Sequence, residues 1–307
     1  MLAYSLMKLM SRIACVQPTC FNDALAYALG QIGWLATPKW RRYMAKENVK
    51  ECLGVSETEA ERIAKESVTR FGRMLIEVLR YPLINQSNFR NLVHFEGLEH
   101  LEEAYAEGRG VIMCTAHYGN WEMLGASMAL LGYPILSITR KQNDGDADRF
   151  INEYRQMVGQ HVTYNHGKSS MLSIGRYLKD KHLVGILYDQ DSAHTGEHLE
   201  LFGKPARVPD GAAQLARVFK APIVPLFMHN QPDGTLTAVI HPCFHADPQL
   251  SREENSHVIM EKLIRIAEEE IRRDPAMWFW VHDRWKDGKK RYRDRKHFST
   301  PMTGNRT

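Results

Sequence analysis

The 307-residue chain is short of the features that mark most common enzyme classes. Its five cysteines (Cys15, Cys20, Cys52, Cys114, Cys243) are scattered, odd in number and without a C-x-x-C pair. That excludes a disulfide framework or a cysteine zinc site and fits a reducing compartment. There is no G-x-S-x-G elbow, no G-x-x-x-x-G-K-S/T loop, no H-E-x-x-H and no G-x-G-x-x-G, which removes the motif-based grounds for a serine hydrolase, a P-loop NTPase, a zinc protease or a dinucleotide-binding enzyme. No apolar run reaches the ~20 residues needed to cross ~30 Å of hydrocarbon. No internal repeat, low-complexity segment or compact signal peptide with a small-x-small cleavage site is present.

What the chain does have is ordinary for a folded protein: 44% hydrophobic and 25% charged residues. Its length suits one large α/β domain with an appendage. The net charge of +4 is modest but unevenly spread. Eight Lys or Arg against two acidic residues, Asp287 and Asp294, lie between Arg284 and Lys296, and Lys39-Trp40-Arg41-Arg42 follows the apolar stretch 24–37. Lys8, Arg12, Gln17, Pro18 and Asn22-Asp23 break that stretch when it is extended towards Met1. Residues 1–50 therefore read as an amphipathic or interfacial helix pair, with Trp34, Trp40 and the basic cluster at headgroup level. The plainer alternative is a soluble hairpin packed on the main domain. Residues 51–286 form the expected α/β domain, and 287–307 a basic polar tail.

Along that domain the pattern alternates. Ser56-Glu57-Thr58-Glu59 is a capping-box signature opening a long amphipathic helix over 56–81. Strand-like runs follow at 92–96, 110–115, 135–139, 161–164, 183–188, 223–228 and 235–240. Helical segments fall at 98–107, 120–131, 144–159, 169–179, 209–219 and 251–273. This predicts a mixed, largely parallel sheet flanked by helices.

The most informative stretch is Thr115-Ala116-His117-Tyr118-Gly119-Asn120-Trp121-Glu122, where a strand meets a helix. Residues five apart in one helix do not face each other. With His117 in the turn and Glu122 in the first helical turn, however, the carboxylate can reach back, orient the imidazole and stabilise imidazolium, as a general base requires. The alternative is a turn histidine beside a glutamate that complements the helix dipole. Cys114 falls inside the apolar run and reads as core. No serine is marked as a nucleophile, so the substrate is expected to supply its own. Backbone N–H groups around Gly119–Trp121 and a nearby Arg are candidate oxyanion donors. Arg140 and Arg155 suit anionic groups, since a guanidinium binds phosphate bidentately; the alternative is a structural salt bridge, for example to Asp189 or Asp191. Asp189-Gln190-Asp191 follows a strand at the carboxyl end where α/β sites gather. A paired-carboxylate metal site is conceivable there, but loop capping and orientation of an Arg fit better.

His117-Tyr118-Gly119-Asn120-Trp121-Glu122 resembles the HX4D/E motif of the lysophospholipid acyltransferase superfamily, and more closely the late, or secondary, lipid A biosynthesis acyltransferases. Further blocks match in order: Thr139-Arg140 with Asn143; Arg155 and Gly159; Asp189-Gln190-Asp191 followed by Phe202-Gly203; and Trp280-Val281-His282-Asp283-Arg284-Trp285-Lys286. The resemblance spans roughly residues 55 to 290. The chain departs from it at Asp283, where Arg is usual, and at Leu201, where a second Phe is common. The resemblance implies a membrane-associated enzyme on the cytoplasmic face of the bacterial inner membrane. It would move a fatty acyl chain from acyl carrier protein, or coenzyme A, onto a hydroxyl of a lipid A precursor. It implies catalysis by His117 and Glu122, substrate binding by Arg140, Arg155, Asp189 and Arg207, and no metal. No cofactor and no nucleic-acid partner is expected. Acylation of another glycolipid or a lysophospholipid is the second reading, and a non-catalytic lipid-binding protein the third.

Overall fold

The computed structural model describes residues 2–165, 168–191 and 196–285; the basic tail 287–307 lies outside them. The strands are β1 (Val93–Glu96), β2 (Val111–Thr115), β3 (Ile135–Thr139), β4 (Gln160–Tyr164), β5 (Leu183–Leu187), β6 (Glu197–Leu201), β7 (Lys204–Val208), β8 (Ile223–Asn230) and β9 (Leu236–Ile240). Seven form one sheet in the order β1-β9-β8-β2-β5-β3-β4. From β4 to β8 every pair is parallel; β9 runs antiparallel to β8, and β1 is parallel to β9. This is the mixed, largely parallel sheet expected from the alternation.

The helices are α1 (Leu2–Val16), α2 (Thr19–Ala36), α3 (Lys39–Leu53), α4 (Glu57–Leu79), α5 (Leu98–Ala106), α6 (Trp121–Leu130), α7 (Gly145–Met157), α8 (Lys168–Lys179), α9 (Gly211–Phe219) and α10 (Arg252–Arg273). All five residues of β2 are buried, as a central strand with both faces covered demands. Because successive side chains alternate across a strand, Val111 and Met113 join one core with Met123 and Leu124 of α6, while Ile112 and Cys114 join the other with Ala216 of α9 and Leu263 of α10. Cys114 is therefore core, and burial pushes its thiol well above the usual range.

The N-terminal segment is three helices rather than a pair. α2 crosses α4 at backbone distance: a Cβ on Gly30 would stand 2.2 Å from the Thr69 oxygen, and one on Gly72 2.0 Å from that of Ala26. Met44, Ala45 and Val49 of α3 are completely buried. The cations of the basic cluster lie against tryptophans, Arg41 over Trp40 at 4.9 Å and Arg42 over Trp34 at 5.5 Å. Among the described residues no helix is long and apolar enough to cross a membrane. A second departure is the antiparallel hairpin β6–β7, which none of the expected strand runs covers. Phe202 and Gly203, with φ of +55° and +67°, form its two-residue turn, and positive φ at both central positions is what a twisted hairpin requires.

Candidate active site

The turn from β2 into α6 is fixed from several sides. Asn120 caps α6, its Oδ1 accepting from Met123 N at 2.9 Å. Its amide also donates to Glu77 on α4, which Arg73 holds at 2.9 Å. Gly119 has φ +56°, and a Cβ there would lie 1.7 Å from the Met228 oxygen on β8, so only glycine fits. Its N–H donates to the Met277 carbonyl at 3.0 Å, and Phe279 N–H donates to the His117 carbonyl at 3.1 Å. Gly119 N–H is thus committed, which removes it from the expected oxyanion donors and leaves those of Asn120 and Trp121.

His117 meets a carboxylate, but not the one the local spacing suggested. Its Nδ1 lies 2.7 Å from Asp189 Oδ1, and its backbone N–H donates to Asp189 Oδ2 at 3.0 Å. Trp278 Nε1 donates to the same Oδ2 at 2.8 Å. Burial works against charge on Asp189, but the neighbouring imidazole and these hydrogen bonds outweigh it and hold its carboxyl down to about 2. The ionised Asp189 fixes the proton on Nδ1 and leaves Nε2 as the basic nitrogen. No hydrogen bond reaches that nitrogen among the described residues, and the ring is partly exposed. An imidazole so held can accept a proton and be stabilised as imidazolium.

The expected His117–Glu122 contact is therefore corrected. Glu122 is engaged by Arg155 of α7, Nε to Oε2 at 2.8 Å and Nη2 to Oε1 at 2.6 Å. This bidentate pair is buried, and Arg155 Nη1 also donates to Asn152 at 3.1 Å. Burial opposes the charge on Arg155, but Glu122 outweighs it and raises its pKa. The expectation that Arg155 binds a substrate anion is corrected with it: this guanidinium already has its anion, Glu122 rather than Asp189 or Asp191. The pair ties the first turn of α6 to α7.

Arg140, just past β3, is exposed at the same carboxyl edge of the sheet. Arg207 lies on β7, and its carbonyl accepts from Arg284 Nη1 at 2.8 Å. Arg284 is 1% exposed; burial lowers its pKa to about 10 against the pull of Asp189 and Asp191. The C-terminal segment thus reaches the site through Trp278 and Arg284. Trp121 packs edge-on to His117 at 5.1 Å and against Phe71 at 5.3 Å, and Phe71 meets Phe279 at 4.8 Å. The imidazole therefore stands beside an aromatic wall. Among the described residues no group of three or more His, Cys, Asp or Glu is arranged to hold a metal.

Asp189 was expected among the substrate-binding residues, and the structure places it instead as the partner of His117. The missing signal is strand register. β2 and β5 are parallel neighbours with Thr115 beside Leu187, so residues two further on, His117 and Asp189, emerge side by side.

The bacterial lipid A biosynthesis acyltransferase family matches residues 10–287. A phosphatidylinositol mannoside acyltransferase of Mycobacterium tuberculosis is 27% identical over 223 residues, 65% of this chain and 70% of that protein. The lipid A biosynthesis palmitoleoyltransferase of Escherichia coli is 26% identical over 262 residues, 83% of each chain. A lipid A biosynthesis acyltransferase of Haemophilus influenzae is 24% identical across 86% of this chain and 81% of its own. With a family match over nearly the whole chain, this protein belongs to the bacterial lipid A biosynthesis acyltransferases and is an acyltransferase of that glycolipid-modifying group.

Proposed function

We propose that the protein transfers a fatty acyl chain from an acyl thioester, carried by acyl carrier protein, to a hydroxyl of a lipid A precursor at the cytoplasmic face of the bacterial inner membrane. The observation that carries the reading is the pairing of His117 with Asp189, which leaves a basic nitrogen on a partly exposed ring packed beside Trp121, with Phe71 and Phe279 packed on from it. His117 Nε2 takes the proton of the acceptor hydroxyl as its oxygen attacks the thioester carbonyl, and returns it to the departing thiolate. General-base assistance of this kind is worth roughly 10²–10⁴-fold. Asp189 holds the ring's tautomer and offsets the imidazolium charge. N–H groups at the start of α6 meet the oxyanion, and the aromatic wall suits an aliphatic chain. Glu122 acts by fixing that start through Arg155, not by touching the imidazole. Arg140 and Arg207 are the cations we assign to acceptor phosphate. Acyl carrier proteins are acidic, so basic patches on this chain serve the donor as well as anionic lipid.

The mycobacterial relatives, named for phosphatidylinositol mannoside, favour a second acceptor class, a mannosylated phospholipid. Purified protein offered acyl carrier protein and coenzyme A thioesters with each acceptor decides between them, as does a mass-spectrometric glycolipid profile with and without the protein. Acyl gain on a lipid A precursor is the expected result; gain only on the mannosylated lipid selects the second acceptor, and gain on neither overturns the reading.

A further inference from the structure

Beneath the catalytic turn lies a polar cluster for which acyl transfer as described has no use. Tyr118, next to His117, is completely buried. Its hydroxyl stands 3.2 Å from His229 Nδ1 and 3.1 Å from the backbone oxygen of Glu270. His229 Nε2 is 2.7 Å from Glu270 Oε2, and His241 Nε2 is 3.1 Å from Oε1 of the same carboxylate. Three elements meet there: His229 stands near the end of β8, His241 just past β9 and Glu270 near the end of α10. The other charges facing the cluster are Arg273, 3.4 Å from the carboxylate, and Arg70 and Asp274, themselves 3.4 Å apart.

Counting protons restricts what this cluster can be. Burial opposes charge on Glu270, but the two histidines outweigh it and hold its carboxyl down to about 2. Both its oxygens accept, so both Nε2 atoms carry protons. One hydroxyl proton then remains for two contacts of Tyr118. If it goes to His229 Nδ1, that ring is neutral, the Glu270 carbonyl keeps only the Asp274 N–H, 3.2 Å away, and its 3.1 Å contact with the Tyr118 oxygen holds no proton. If it goes to the carbonyl, Nδ1 must bring a proton of its own and His229 is an imidazolium. Only the second arrangement makes every short contact a hydrogen bond, and it faces the buried carboxylate with a cation.

We propose that Tyr118, His229 and Glu270 form a buried brace that positions His117, with His229 held as an imidazolium. Tyr118 is then a positioning residue: it anchors the turn to β8 and α10 from below, while Asp189 orients the ring from the side. The kinetic part of the test rests on the acyl-transfer reading; the spectroscopic part does not.

The test uses the full chain with isotope-labelled histidine, His229→Gln to assign the resonance, and Tyr118→Phe. The phenylalanine removes one oxygen and keeps the edge-on packing against Phe227, 5.7 Å away. Near neutral pH the wild-type His229 should show both ring nitrogens protonated. Tyr118→Phe should shift the His117 Nδ1 proton resonance and lower kcat roughly 10- to 100-fold, since small misplacements of reacting groups cost that much, with KM for both substrates changed by no more than about twofold. A bare Nδ1 on His229 overturns the imidazolium. An unmoved His117 signal with unchanged kcat, or a loss confined to KM, overturns the positioning role. Should the wild type acylate no glycolipid, the acyl-transfer reading fails while the two resonances still decide the brace.

Discussion

At the scale of single residues the site divides two carboxylates between two tasks, and each has a different signature when removed. Asp189→Asn preserves shape but replaces an ionised acceptor with an amide, so the imidazole loses both its fixed tautomer and its counter-charge. By analogy with other His–Asp pairs, kcat should fall on the order of 10⁴-fold. Adding His117→Ala should cost little more, because base and orienter serve one step; multiplicative losses in steady-state kinetics would show that the two act separately. Glu122→Gln tests a different property. It leaves the buried Arg155 without its anion, and breaking such a pair costs about 3–5 kcal/mol. Urea unfolding should show that loss, and replacing both residues by methionine should recover most of it, since a buried ion pair is often no better than apolar packing. A Glu122→Gln protein as stable as wild type but inactive would return Glu122 to the chemistry.

At the scale of elements, much of the architecture was legible because it rests on local signals. The strand-like apolar runs and the Ser56 capping signature mark elements that formed near their expected positions. What escaped depends on contacts far apart in sequence. The hairpin β6–β7 is short and partly exposed, and its Phe202-Gly203 turn lacks the asparagine or aspartate that usually announces one. α3 carries a basic first turn that reads as a surface feature, yet its later residues Met44, Ala45 and Val49 are core. The partner of His117 lies 72 residues away, so a five-residue spacing could not reveal it. Gly119 shows the same dependence on distant contacts: nothing local says that β8 passes behind it. Gly119→Ala meets both the positive φ and the Met228 oxygen, so the turn must move. Backbone strain of this kind costs about 1–3 kcal/mol before the overlap is relieved. A lowered unfolding midpoint and loss of acyl transfer are expected, and wild-type behaviour in both would mean the turn is not fixed where it lies.

For the whole molecule, acid is the first condition that should loosen the fold around the site. Asp189 and Glu270 have folded pKa values of about 2, below their ordinary values of 3.8 and 4.5. A depressed carboxyl contributes stability that is fully present above its ordinary value and lost as pH falls through the folded one. Unfolding free energy should therefore drop between about pH 5 and about pH 2, and less steeply in Glu270→Gln; parallel curves would remove Glu270 from the linkage. The membrane is the other whole-molecule question, and α1 offers a defined surface for it. Leu2, Leu6, Leu9, Ile13 and Val16 are 87%, 57%, 53%, 40% and 79% exposed, and steps of four and three place them on one stripe. The opposite side is fastened inward: Tyr4 and Lys8 bond Glu153 on α7, and Ser11 donates to the Leu79 carbonyl at 2.6 Å. Deleting residues 1–50 would also remove the core residues of α3, so point substitution is the cleaner probe. Each large apolar side chain buried in the interface contributes about 1.5–3 kcal/mol. Leu6→Glu with Ile13→Glu should then weaken binding to anionic vesicles by roughly 100-fold or more, and high salt should not restore it. Activity on a detergent-dispersed acceptor should survive while activity on a bilayer-embedded one falls. If the doubly substituted protein still sediments with vesicles as wild type does, the membrane contact is made by another face.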